Sequence, residues 1–311
     1  MTDVPGRPRT AVVILHWGDP DDTLAALASV VASREQPARL LVVDNGTRAL
    51  RVDAVARAAP AAELVSLPEN LGYAGGNNVG IRRALESGAE RVVLLNNDAI
   101  LDPDCLAALG RAADAAGARL GAVGAKVLSA SDPSRLWMAY GRVTYRAALV
   151  ERVGQGEADG PAYARAADVD WVSGCAILLG AAALADVGLL DERFFAYHED
   201  VDWCTRARAR GYRVVFEPVA RVVHRGGGSL AGRGVASPVR YLSARNTILF
   251  ARKHAHAADW ARLALTIGAS LPLEWMRLRR RGEGAALALL LRGYRDGLLN
   301  RPLPLTALGL R

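Results

Sequence analysis

Residues 91–99, RVVLLNNDA, constrain this chain most: four apolar residues in a row stop on Asn96, Asn97 and Asp98. A short uninterrupted apolar run between polar residues has the pattern of a strand buried on both faces, as in a parallel sheet. Ligands of open α/β sheets bind outside the carboxyl ends of such strands. Asp98 is therefore placed where a diphosphate and its metal would be expected. Asn and Asp are also favoured turn residues that bond their own backbone, so this stretch alone leaves a plain turn open.

The flanking chain repeats the pattern. Residues 11–15 (AVVIL) read as a strand and 23–33 as a helix, with Leu24, Leu27, Val30 and Val31 at helical spacing. Residues 40–43 (LLVV) and 63–67 are further strands, separated by a short helix at 52–59, with connections long enough for right-handed crossovers. A dinucleotide-binding fold would carry GxGxxG directly after its first strand. That position reads HWGDPDD, which disfavours a nicotinamide enzyme. The Gly/Asn-rich stretch 70–78 (NLGYAGGNN) reads as a loop opening a helix at 78–87. Exposed N–H groups at such a place favour anionic or carbonyl-bearing ligands. An ordinary strand-to-helix turn with an Asn cap fits it as well.

After the central strand, Pro103 starts a helix to 116, and 120–127 is another strand. The pattern then loosens over 129–167, with short strands at 142–146 and 149–153; Trp137, Tyr140 and Tyr145 serve packing or an acceptor site. Residues 169–180 (VDWVSGCAILLG) are strand-like, and 181–187 form a short helix. In 190–211 (LDERFFAYHEDVDWCTRARARG), several acids precede a helix closed by Gly211. Helical geometry puts Asp200 and Trp203 on one face and pairs Asp202 with Arg206 at i,i+4. Asp200 is thus the better candidate for chemistry and Asp202 for structure, with Glu199 open. Two strand pieces, 212–217 and 220–224, end on His224 before Arg225 and the Gly-rich 226–229. Neutral imidazole is a common metal ligand, though a lone His is as readily structural.

From Pro238 onward the spacing is helical: 241–254, 258–279 and 285–299, with Arg277, Arg279, Arg280 and Arg281 between the last two. An amphipathic, Arg-bearing helix can lie on an anionic membrane surface; a helical cap with a solvated basic end fits equally. The most apolar late window, 261–276, is interrupted by Arg262, Pro272 and Glu274 and falls short of the roughly 18–20 residues of a spanning helix. The first ten residues lack a signal-peptide apolar region. Cys105, Cys175 and Cys204 are odd in number and have no zinc spacing, which suits a reducing compartment. The expected location is cytoplasmic, peripheral at the inner face of the cell membrane. A net charge of +7 suits an anionic small molecule, membrane or nucleic acid. Nucleic acid is disfavoured, because the basic residues show no regular aromatic interleaving for base stacking.

Six stretches in this order resemble the inverting glycosyltransferases of family 2, most closely the rhamnosyltransferase-like members: VVDNGT (42–47), ENLGYAGGNNVGI (69–81), LLNNDA (94–99), DWVSGCAILL (170–179), LLDERFFAYHEDVDWCTRARARGYRV (189–214) and VVHRGGGS (222–229). Arg245-Asn246 extends the likeness. Each motif is weak alone; the ordered set is specific. The resemblance implies a GT-A fold, an α/β architecture with a mostly parallel sheet, over 1–235, followed by a helical region at 236–311. The sheet implied is mixed, mostly parallel and flanked by helices. The resemblance further implies a nucleotide-diphosphate sugar donor, dTDP- or UDP-linked with rhamnose favoured, a glycan or lipid-linked acceptor, Mg²⁺ or Mn²⁺, and a metal-assisted single displacement. Asp44 would contact base or ribose. Asn70, Gly72, Gly76 and Asn77 would line the nucleotide pocket with Asn96 and Asn97. Asp98, the last acid of a DXD-like motif whose first acid is replaced by Asn96, would bind metal with His224. Trp171, Gly174 and Glu199 would face the acceptor, and Asp200 would be the catalytic base.

Two other classes remain open at this stage. A sugar-phosphate nucleotidyltransferase would normally carry a Gly-rich, basic loop after the first strand, whereas residues 16–22 have no Lys or Arg and three acids. A sugar- or nucleic-acid-binding module would explain the positive charge but not Asp98, Glu199, Asp200 and His224 together.

Overall fold

The computed structural model describes residues 9–225 and 238–310. The first eight residues, the Gly-rich 226–229 and the boundary at 235 lie outside the described residues.

The first half alternates strand and helix: β1 Thr10–His16, α1 Pro20–Val31, β2 Arg39–Asp44, α2 Val52–Ala58, β3 Ala62–Ser66, α3 Gly72–Glu86, β4 Arg91–Asn96, the short β5 Ala99–Leu101, and α4 Cys105–Ala116. Then follow β6 Leu120–Ser129, β7 Leu136–Met138, the hairpin β8 Tyr140–Val143 with β9 Val150–Val153, β10 Ala167–Asp168, β11 Ala176–Gly180, α5 Ala181–Val187, α6 Glu199–Ala209 and β12 Arg213–His224. Helices α7 Pro238–His254, α8 Ala257–Arg280 and α9 Gly284–Leu298 complete the described chain.

The main sheet runs β10-β12-β6-β11-β4-β1-β2-β3. Strands β3, β2, β1 and β4 are parallel, while β11 is antiparallel to both neighbours. The central strand is therefore parallel on one side only. Alternate residues of β1 enter opposite cores: Val12 and Ile14 pack with α1, α2 and α4, and Ala11, Val13 and Leu15 with α3, α5 and α6. Because α1 and α2 cover one face and α3 the other, the strand order reverses between β1 and β4. That reversal opens a crevice at their carboxyl ends.

Several boundaries differ from the sequence expectation, each for a local reason. Helix α3 begins at Gly72 rather than residue 78, so the 70–78 stretch is mostly helix. Asn45 Oδ1 accepts from Leu71 N–H and Asn70 Oδ1 from Gly72 N–H, both at 2.9 Å, which satisfies two donors at the helix start. Its glycines are contact glycines: a Cβ on Gly76 would lie 2.4 Å from Leu15 Cδ1, and one on Gly80 2.3 Å from Val13 Cγ1. Helix α4 starts at Cys105, with Pro103 outside it. In the 169–180 stretch only Ala176–Gly180 is strand, because the preceding backbone turns toward α6, where Gly174 N–H bonds Asp200. The two pieces 212–217 and 220–224 form a single strand, β12, interrupted by a bulge between Glu217 and Arg221.

In the C-terminal region, α7 and α9 cross closely. A Cβ on Gly293 would meet Tyr241 O at 2.5 Å, and one on Gly297 Arg245 O at 2.7 Å. Tyr241 and Leu242 of α7 pack with Phe195, Leu308 and Leu310, tying this region to the loop before α6. No helix among the described residues is long and apolar enough to cross a membrane.

Candidate active site

A cavity of about 720 Å³ opens at the carboxyl ends of β1 and β4 and runs to α7 and α9. Of the residues singled out from sequence, Asn70, Gly72, Asn96, Asn97, Asp98, Trp171, Gly174, Glu199, Asp200 and His224 line it. Asp44, Gly76 and Asn77 lie behind the wall. Asp44 is 2% exposed and its Oδ1 accepts from the N–H and hydroxyl of Thr47, so it shapes the turn on which Asn45 reaches the cavity. Gly76 serves the contact with Leu15 described above, and Asn77 donates to Tyr73 O within its own helix.

Asp98 and His224 are brought together by sheet pairing. Strand β5 adds antiparallel to β12, with Ala99 opposite His224. This places His224 Nε2 3.0 Å from Asp98 Oδ1, across 126 residues of sequence. Arg225 N–H donates to Asp98 O, and Trp137 packs edge-on against the imidazole at 4.7 Å. Asn97 donates to Trp17 O and to Thr23 Oγ1, which is 2.6 Å from His16 Nδ1. Asn97 thereby fixes the turn after β4, while Asn96 reaches the cavity wall beside it.

Among the described residues no cluster of three or more His, Cys, Asp or Glu side chains could hold a metal ion. A divalent cation at a nucleotide needs as few as one or two protein ligands, its remaining positions being filled by water and substrate phosphate. The carboxylate and imidazole of Asp98 and His224, both mostly buried and both on the cavity wall, are such a pair.

The second set of acids sits at the start of α6. Asp200 Oδ2 accepts from Gly174 N–H at 2.9 Å and Oδ1 from Val201 N–H at 2.8 Å. Burial raises the Asp200 pKa, and these backbone donors oppose the rise. Glu199 is pushed much higher, first by burial and then by the charge of Asp200, and its Oε2 is buried without a partner. Of the two, Asp200 is the better stabilised as a carboxylate, because only it has backbone N–H groups on both oxygens. Tyr73 closes the arrangement by donating to Gly174 O at 2.6 Å; a Cβ on Gly174 would strike its hydroxyl.

The loop into α6 is held in an uncommon form. Phe195, Tyr197 and His198 have φ of +63°, +73° and +73°. A non-glycine residue in this region costs about 1–3 kcal/mol, and such residues cluster at active sites. Burial lowers the His198 pKa to about 4 and raises that of Tyr197 to about 12, so both rings face the cavity uncharged. Trp137, read from sequence as serving packing or an acceptor site, lines the cavity, whereas Tyr73, Arg152, Tyr197 and His198 carry no site expectation from sequence. Aromatic residues inside the 69–81 and 189–214 motifs were the available signal for Tyr73 and Tyr197; nothing marked Arg152, which stacks over Trp137 at 5.3 Å.

Solved structures of other proteins share this fold. A mannosyltransferase from Pyrobaculum calidifontis, solved with GDP-Man and Mn²⁺, superposes with a TM-score of 0.57 at 19% identity, covering 95% of this chain and 88% of its own. GalNAc-T7, solved with UDP, GalNAc and Mn²⁺, gives 0.60 at 12% identity over 80% of this chain and 48% of its own. Two curated relatives are more similar in sequence. The N-acetylglucosaminyl-diphospho-decaprenol L-rhamnosyltransferase of Mycobacterium tuberculosis is 29% identical over 272 residues, covering 79% of this chain and 85% of its own. The dTDP-rhamnosyl transferase RfbF of Shigella flexneri is 27% identical over 233 residues, covering 73% and 75%. The model of the glycosyltransferase-like family 2 matches residues 8–242, three-quarters of the chain and every acid of the cavity, and the chain belongs to that family.

Proposed function

We propose that this glycosyltransferase moves a sugar, rhamnose in the favoured case, from a dTDP- or UDP-linked donor to a hydroxyl of a glycan or lipid-linked acceptor, with inversion. The observation that carries the proposal is that Asp200, with backbone donors on both oxygens, and the Asp98–His224 pair line one cavity. The nucleotide lies at the end bounded by Asn45, Asn70 and Gly72, over the turn that Asp44 supports. Asp98 and His224 would hold Mg²⁺ or Mn²⁺, which when bound offsets the charge developing on the leaving diphosphate. Asp200 accepts the proton of the attacking hydroxyl as the bond to the anomeric carbon forms and the bond to the diphosphate breaks. Neutral Glu199, beside it, orients the acceptor by hydrogen bonding, and Trp171 and Gly174 complete that wall.

The names of the two rhamnosyltransferase relatives support the donor and, for the mycobacterial one, a lipid-linked acceptor. Residues 1–235 form the catalytic domain in this proposal and 236–311 the region that meets the membrane. Helix α8 supports a peripheral position at the inner membrane face: Leu265, Leu273, Trp275 and Met276 are exposed, ahead of Arg277, Arg279, Arg280 and Arg281.

The test is nucleotide release from dTDP-, UDP- and GDP-sugars with Mg²⁺ or Mn²⁺, with and without an N-acetylglucosaminyl-diphospho-lipid acceptor. Acceptor-stimulated dTDP release from dTDP-rhamnose is expected. Release of pyrophosphate from a sugar phosphate and a nucleoside triphosphate instead would favour a nucleotidyltransferase. For Asp98→Ala, titration calorimetry should show that Mn²⁺ no longer strengthens dTDP binding; an unchanged metal effect would remove Asp98 from the cation site.

A further inference from the structure

The strained loop at 194–198 has a buttress on α7 that the chemistry above does not use. Asn246 of α7 is fully buried, and its Nδ2 lies 2.8 Å from each of Phe194 O, Ala196 O and Tyr197 O. Its two hydrogens are shared among three carbonyls of the segment whose left-handed residues lead into α6. The preceding residue, Arg245, donates through Nη1 to Asn246 Oδ1 at 3.1 Å and to Arg193 O at 2.9 Å. One dipeptide on α7 therefore gathers the carbonyls of residues 193, 194, 196 and 197.

What the loop carries gives this clamp its meaning. Phe195 O accepts from Ala74 N–H at 3.0 Å, which joins the loop to the first turn of α3, beside the nucleotide end. His198 is the residue before α6, and Asp200 lies in the first turn of that helix. The backbone of 194–198 thus spans the distance between the donor end of the cavity and the base, and its left-handed form sets where Asp200 points. Buried carbonyls released from Asn246 would need other partners, and a side-chain amide is the donor shaped to hold several at once.

We propose that Asn246 is a positioning residue for transfer: it fixes the 194–198 loop so that Asp200 meets the acceptor hydroxyl. This rests on the assignment of Asp200 as the base. A misplacement of about 1 Å in a reacting geometry costs on the order of 100-fold in rate, so Asn246→Ala should lose about 30- to 100-fold in kcat. Its affinity for dTDP, read by calorimetry, should stay within about threefold because Asn45, Asn70 and Gly72 are not bonded to Asn246.

Turnover of dTDP-rhamnose with the diphospho-lipid acceptor, the KM for each substrate and thermal unfolding would be measured for Asn246→Ala, Asn246→Ser, Asp200→Asn and the Asn246→Ala/Asp200→Asn pair. A folded Asn246→Ala chain with kcat within threefold of the parent would overturn the proposal, as would a fall in kcat matched by an equal loss of dTDP affinity. The Ser chain, which keeps one donor, should recover part of the loss and supplies the result if the Ala chain does not fold. Failure of both to fold would assign Asn246 to stability alone. In the Asp200→Asn background, removing Asn246 should add less than about threefold, since the group being positioned is gone. Normal turnover in Asp200→Asn alone would overturn the base assignment, whereas an inactive Asp200→Asn beside a normal Asn246→Ala would overturn only this inference.

Discussion

Helix α6 presents two aspartates, two positions apart, to two different regions. On the cavity side, Asp200 receives backbone N–H groups, among the described residues, and lines the cavity. On the opposite side, Asp202 is completely buried against α7, with Arg206, Lys253 and His254 bonded to its oxygens. Burial alone would raise both pKa values. At Asp202 the hydrogen bond from His254 and the charges of Arg206 and Lys253 outweigh it and leave the carboxyl below its usual range, whereas at Asp200 the rise survives. A carboxylate matched by cations on every side is a structural clamp, and one held by neutral dipoles keeps its basicity available for proton transfer.

The comparison can be broken by experiment. The largest effect is expected from Asp200→Asn, which should lower kcat by about 10²- to 10⁴-fold, the usual contribution of general-base assistance, with dTDP affinity and melting temperature close to the parent. Turnover within tenfold would erase the functional half of the contrast. Next, Asp202→Asn should cost about 3 kcal/mol of unfolding free energy in urea, because it leaves buried cations without a counter-charge. Its kcat per folded molecule should change little; a stable but inactive Asp202→Asn chain would exchange the two roles.

A smaller shift sharpens the electrostatic side. As the proposed base, Asp200 must be ionised, so kcat/KM should fall as pH drops through its pKa. Since burial raises that pKa, the acidic limb should lie above the value of about 3.9 for a free Asp. A limb at or below that value would mean that the backbone donors outweigh burial. The smallest effect is expected from Glu199→Gln. If Glu199 carries its proton at neutral pH, a neutral isostere leaves kcat within about tenfold and the limb in place. A limb displaced to lower pH would instead show that Glu199 is charged beside Asp200 in the parent.

The legible part of the molecule is the part governed by neighbours in sequence. Apolar runs marked β1, β2, β4 and β6, because a strand covered on both faces has no room for polar side chains. The Asp202–Arg206 pair and the shared face of Asp200 and Trp203 followed from helical spacing alone. The start of α3 is not legible in the sequence: Gly76, which looks like a loop residue, is there because Leu15 of β1 presses against the helix, a contact invisible without the sheet.

Family motifs in sequence order brought Asp98, Asp200 and His224 into one hypothesis, and with them the glycosyltransferase reading. What the sequence could not decide was which atoms meet. The Asp98–His224 contact depends on a three-residue strand, β5, adding to β12. Asp44 points to its own turn, so Asn45 is the residue that lines the cavity. Asn246, separated from the loop by about fifty positions, reaches it only because α7 packs there. Side-chain periodicity records which face of an element is buried; it carries no information on the partner that buries it, and at this site the partner sets the chemistry.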